Sequence, residues 1–128
     1  MNYSYTKQTN NSFNDLVEKL KEALKTEGFG VLTEINVKET MKNKINEDYE
    51  EYLILGACNP HYAHKSLQAE YEIGLMLPCN VIVYVKNEKV FTSAIMPSVA
   101  MNVVDNAELQ ETAMIIEKKL KNVIDLSV

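Results

Sequence analysis

Arginine is missing from this chain: all 13 of its positive charges are lysine, against 18 carboxylates, for a net charge of −5. Without a guanidinium there is no bidentate reader of phosphate or guanine. An acidic chain also lacks the cationic surface that neutralises a nucleic-acid backbone. No nucleic-acid partner is therefore expected. No apolar run approaches the ~18–20 residues of a membrane span, so no membrane partner is expected either. Cysteine occurs twice and never as a Cys-x-x-Cys pair. The opening Met1-Asn2-Tyr3-Ser4-Tyr5 is polar and aromatic and does not read as a secretory leader. Free thiols in a reducing cytoplasm are the expectation. Glycine is scarce, at four residues. Gly28-x-Gly30 lacks the third glycine of a dinucleotide loop and leads into a strand-like run. No Gly-x-Ser-x-Gly elbow exists. Repeats, low-complexity tracts and Gly/Ser linkers are also lacking, and 128 residues fit one domain, 1–128.

What is present alternates between two periodicities. Residues 2–7 set Tyr3 and Tyr5 against polar neighbours and predict a strand. Ser12 with Asp15 offers a cap, and Phe13, Leu16, Val17, Leu20, Ala23 and Leu24 recur at helical spacing. Residues 29–35 predict a second strand. Asn36 with Glu39 opens a short helix with Val37, Met41 and Ile45 on one face. The continuous apolar run 52–57 predicts a central strand. Asn59 as cap and Pro60 at the first helical position predict a helix over 60–69, with Ala63, Leu67 and Tyr71 facing inward. Residues 81–85 and 89–95 flank a short polar loop as a hairpin that ends at Pro97. Residues 108–124 close the chain as a helix. The order is β-α-β-α-β-α-β-β-α. The hairpin link is too short for a parallel crossover. The fold class is therefore α+β, an antiparallel sheet of about five strands with helices on one face.

Both cysteines and both histidines fall within the 22 residues from Cys58 to Cys79. Cys58 lies just before a predicted helix start, where free N–H groups and the helix dipole favour a thiolate. It is the candidate nucleophile. Cys79 opens a strand and is the candidate resolving thiol, provided the Cα atoms can come about 4.4–6.8 Å apart. The competing reading is that both thiols pack as small hydrophobes. His61 and His64 are three apart on one helix and share a face. With Cys58 and Cys79 they make a four-member candidate zinc set. Cysteine with Met76 nearby would suit copper(I), and a single histidine would serve a haem. Against these stands a solvated helix face. Asn59 and Asn80 each follow a cysteine. They read as cap and turn residues, or as amides that donate hydrogen bonds to a ligand. Glu47-Asp48-Glu50-Glu51 reads as a solvated loop without EF-hand spacing.

The segments Gly28-Phe29-Gly30-Val31, Leu55-Gly56-Ala57-Cys58-Asn59-Pro60 with Ala63 and Leu67, Ile73-Gly74 and Leu77-Pro78-Cys79-Asn80-Val81, in that order, resemble the DUF302 family of small proteins of unassigned function. The resemblance implies a TBP-like α+β fold, a curved antiparallel sheet backed by helices, usually paired as a homodimer. It implies no catalytic residue, and it favours His64 over His61 as a site position. Three functions are then expected in order. The first is a cytoplasmic homodimeric module binding a small ligand, a metal (zinc or copper) or haem beside 56–64 and 77–80, through Cys58, Asn59, His64, Cys79 and Asn80. The second is a thiol-dependent redox protein or enzyme using Cys58 and Cys79. The third is an interaction protein whose cysteines only pack.

Overall fold

The structure, a computed structural model, describes residues 2–128. The chain runs β1 (Ser4–Thr9), α1 (Phe13–Thr26), β2 (Gly30–Asn36), α2 (Val37–Ile45), β3 (Tyr52–Cys58), α3 (Pro60–Ala69), a 3₁₀ turn (Tyr71–Met76), β4 (Cys79–Lys86), β5 (Lys89–Ile95), α4 (Pro97–Ala100), a second 3₁₀ turn (Met101–Val103) and α5 (Ala107–Ser127). The five strands form one sheet in the order β1-β5-β4-β3-β2, and every pairing is antiparallel. The class expected from the sequence, α+β with an antiparallel sheet backed by helices, is the one observed.

Strand alternation sorts the side chains. Leu53, Leu55 and Ala57 of β3 pair with Val83, Val81 and Cys79 of β4, and all six are buried. Against them lie Leu16, Leu20 and Leu24 of α1 and Ile116, Leu120, Val123 and Ile124 of α5. These helices form because their apolar residues recur on one face and their ends are capped. Ser12 accepts from the Asp15 N–H, and Asn106 accepts from the Leu109 N–H. The opposite sheet face is the one turned away from α1 and α5. There Tyr52 stacks on Tyr84 and Tyr84 on Phe91, while Thr6 and Ser93 share a hydroxyl hydrogen bond. A second, smaller cluster of Ile73, Met101, Leu109 and Ala113 gathers under the N-terminal half of α5.

The structure adds detail at three places. The helix α2 buries no residue, and Ile45 is 61% exposed. Val37 and Met41 of its apolar face are partly buried, and caps at Asn36 and left-handed Asn46 close its ends. Tyr71 lies beyond α3, in the 3₁₀ turn, and is 89% exposed. The chain turns at Glu70, whose extended backbone breaks the helix before Tyr71 can join its inner face. Pro97 ends β5 as expected but also begins α4, the position where a missing N–H costs a helix nothing.

Gly56 is required by a close approach. A Cβ there would overlap the Thr33 hydroxyl and lie 2.7 Å from the Pro78 ring. Gly56→Ala is expected to cost about 1–3 kcal/mol, seen as a lower urea midpoint at unchanged m-value. Adding Thr33→Ala should recover only part of the loss, because the rigid Pro78 ring remains.

Candidate functional site

The two clusters under the sheet do not merge, and a cavity of about 310 Å³ lies at their seam. Its floor is Ala57 and Cys79, facing each other across β3 and β4. Phe29 and Ile116 belong to the main core, and Leu67 and Leu77 belong with the smaller cluster. Cys58, Asn59, Ala63, Gly74, Pro78 and the exposed Leu32 complete the wall. Small residues make the space: Ala57 stands in a row otherwise occupied by Leu53 and Leu55, and Ala63 and Gly74 face it from α3 and the 3₁₀ turn. No charged side chain lines it.

Both cysteines reach this cavity and neither is in a disulfide. Cys58 is partly buried at the end of β3, and Cys79 is buried at the start of β4. Burial pushes the Cys79 thiol up from its ordinary 9.0 to about 11, and the neighbouring Cys58 adds to the shift. Desolvation penalises the thiolate, so Cys79 carries its proton throughout the neutral range. As a resolving nucleophile or a metal ligand it would have to give that proton up.

Asn59 is 7% exposed and does not cap α3 with its side chain, correcting the expectation from sequence. Its Nδ2 donates instead to the Glu27 carbonyl at 3.1 Å, tying the start of α3 to the end of α1. Gly28, at φ +85°, lets the chain turn directly beneath this amide.

The remaining candidates lie elsewhere. His61 and His64 share a helix face, as their spacing implies, but that face is exposed and neither lines the cavity. Ala63 and Leu67 turn inward, and Ser66 is buried against its own helix, donating to the Tyr62 carbonyl. Asn80 is exposed and sits opposite Gly56 in register, so the pleat directs it away from the Cys79 side. Met76 is 37% exposed and outside the lining. The four-member zinc set of Cys58, His61, His64 and Cys79 is therefore not assembled. Among the described residues no group of three or more His, Cys, Asp or Glu side chains is placed to hold a metal ion. No described helix is long and apolar enough to cross a membrane. Phe29, Leu32 and Ile116 are wall residues that sequence reading missed. Only the run of small residues at Ala57, Ala63 and Gly74 hinted at missing volume.

Fold and cavity together define a small α+β protein with a helix-backed antiparallel sheet and one apolar cavity beside two free thiols. The chain belongs to the DUF302 family, a domain of unknown function, whose model matches residues 5–127. It is similar over its full length to the crystal structure of the uncharacterized conserved protein DUF302 from Bacillus stearothermophilus. The two are 31% identical, each chain is covered to 100%, and the TM-score is 0.95. No curated protein matches the chain.

The Cys79 shift fixes a pH signature. Its folded value lies above its unfolded one, so the folded state holds the proton longer. Stability is then intact below pH 9 and falls as pH rises toward about 11. Chemical denaturation across this window should show the wild type losing roughly 2–3 kcal/mol more than Cys79→Ala, at 1.36 kcal/mol per pH unit of difference.

Proposed function

We propose that the protein is a cytoplasmic binding module for a small, mostly apolar ligand held at the seam cavity, and that it works as a homodimer. One observation carries the reading: a cavity of about 310 Å³ walled by Phe29, Leu67, Leu77 and Ile116, with both thiols and Asn59 as its polar groups. An apolar cavity of about 150 Å³ is enough to take benzene, and ligand pockets begin at about 300 Å³. Metal and haem are less favoured occupants, because no histidine lines the wall and Cys79 holds its proton. The thiol redox reading keeps one supporting fact, that Cys58 and Cys79 share the cavity. The raised Cys79 value weighs against it.

The homodimer reading rests on the sheet face turned away from α1 and α5. Tyr52, Tyr84 and Phe91 stack there, with Ile54 paired to Ile82 and Ile35 to Ile54. Tyrosine-rich surfaces are what subunit interfaces favour, and one face meeting its own copy closes a two-fold pair.

A naphthalene-sized neutral probe, 2-methoxynaphthalene, should raise the melting temperature of the wild type. At ten times its Kd it adds about 1.4 kcal/mol. Ala63→Phe, which fills the cavity from α3, should fold and show no such rise. A wild type unaffected by the probe at saturation refutes the module. Sedimentation should give a dimer for the wild type and a monomer for Ile82→Asp, with α-helical content retained.

A further inference from the structure

We infer that the ligand of this cavity carries a hydrogen-bond donor on an otherwise apolar, uncharged body, such as a fused-ring phenol or an N–H heteroaromatic, and that Asn59 Oδ1 receives that donor. The inference rests on the cavity being a ligand site and names what it selects.

The amide of Asn59 is oriented by the hydrogen bond its Nδ2 gives to the Glu27 carbonyl. That bond assigns the other end of the amide as oxygen, which can only accept. No residue among those described donates to Oδ1, although the side chain is more than nine-tenths buried. Nor is Oδ1 sealed in: among the described residues no fully enclosed side-chain nitrogen or oxygen lacks a partner. Asn59 lines the cavity. An acceptor that the fold orients and leaves unpaired, in a residue of an apolar wall, is matched by a ligand donor. A helix cap would have used this oxygen, as Ser12, Asn36 and Asn106 use theirs. Here the Glu27 tie takes the amide away from that role.

The rest of the wall sets the other requirements. Cys58 and Cys79 offer only weak donors and acceptors, so a second strongly polar group on the ligand finds no good partner. No charged side chain lines the wall, and an unpaired charge is expelled from such surroundings. The volume is about twice that of a benzene-sized cavity, which suits two fused rings.

The test compares 2-naphthol with 2-methoxynaphthalene, whose oxygen carries a methyl group in place of the proton, by calorimetric titration of the full chain at neutral pH. The expected result is 2-naphthol binding roughly three- to tenfold tighter. Asn59→Leu should remove the preference for 2-naphthol. Because Asn59→Leu also deletes the Glu27 tie, the Asn59 side-chain amide resonance of the wild type serves as a second readout. It should shift with 2-naphthol and stay near its free position with 2-methoxynaphthalene. Equal affinity for the two probes, with both lost in Ala63→Phe, overturns the donor inference and leaves the cavity standing as a binding site. So does an Asn59 resonance that answers both probes alike. Binding of neither probe overturns the site and the inference together.

Discussion

The burial of one sheet face under α1 and α5 is the constraint from which the other features follow. Leu55, Val81 and Val83 are fully excluded from solvent only because two long amphipathic helices lie across them. At 21 residues α5 is about 30 Å long, longer than one compact core needs. Its C-terminal half belongs to the main cluster, and its N-terminal half covers the smaller one around Ile73 and Met101. A single helix spanning two cores leaves a joint between them, and at that joint Ala57, Ala63 and Gly74 withhold the volume that would close it.

The same arrangement decides what chemistry the joint can host. A wall built from two apolar clusters offers charge no partner, so buried groups that need ionisation are penalised there. Cys79 shows the effect directly. Polar function at such a place has to come from neutral groups anchored by the backbone. Asn59 meets that condition, since one end of its amide is fixed by the carbonyl of Glu27.

Much of the fold was legible in the sequence because the elements obey their periodicities. The continuous apolar run 52–57, the caps at Ser12 and Asn36, and the short polar loop between the hairpin strands all read locally, and local signals sufficed. Of the segments 56–64 and 77–80, Ala57, Cys58, Asn59, Ala63, Leu77, Pro78 and Cys79 border the cavity, while His61, His64 and Asn80 do not. The orientation of α3 was not legible in the sequence. His61 and His64 share a face by spacing alone, but which face turns inward depends on α5 and the 3₁₀ turn, whose positions no local pattern encodes. The same holds for Asn59, whose side chain answers to Glu27, 32 residues earlier. Ile116 reads as one more apolar position in a helical register, and nothing local marks it as a wall residue.

The edge of the sheet carries one last consequence. Between Val31 and Thr33 the β2 register slips against β3, so Leu32 is an extra residue with no partner across the ladder. A bulge of this kind twists an outer strand and interrupts its row of free backbone groups. An incoming strand therefore meets a broken template, and open-ended growth of the sheet through β2 is discouraged. The inserted residue that forms part of the cavity mouth also guards the protein against fibrillar stacking. A deletion that restored perfect pairing would tidy the sheet and remove that protection.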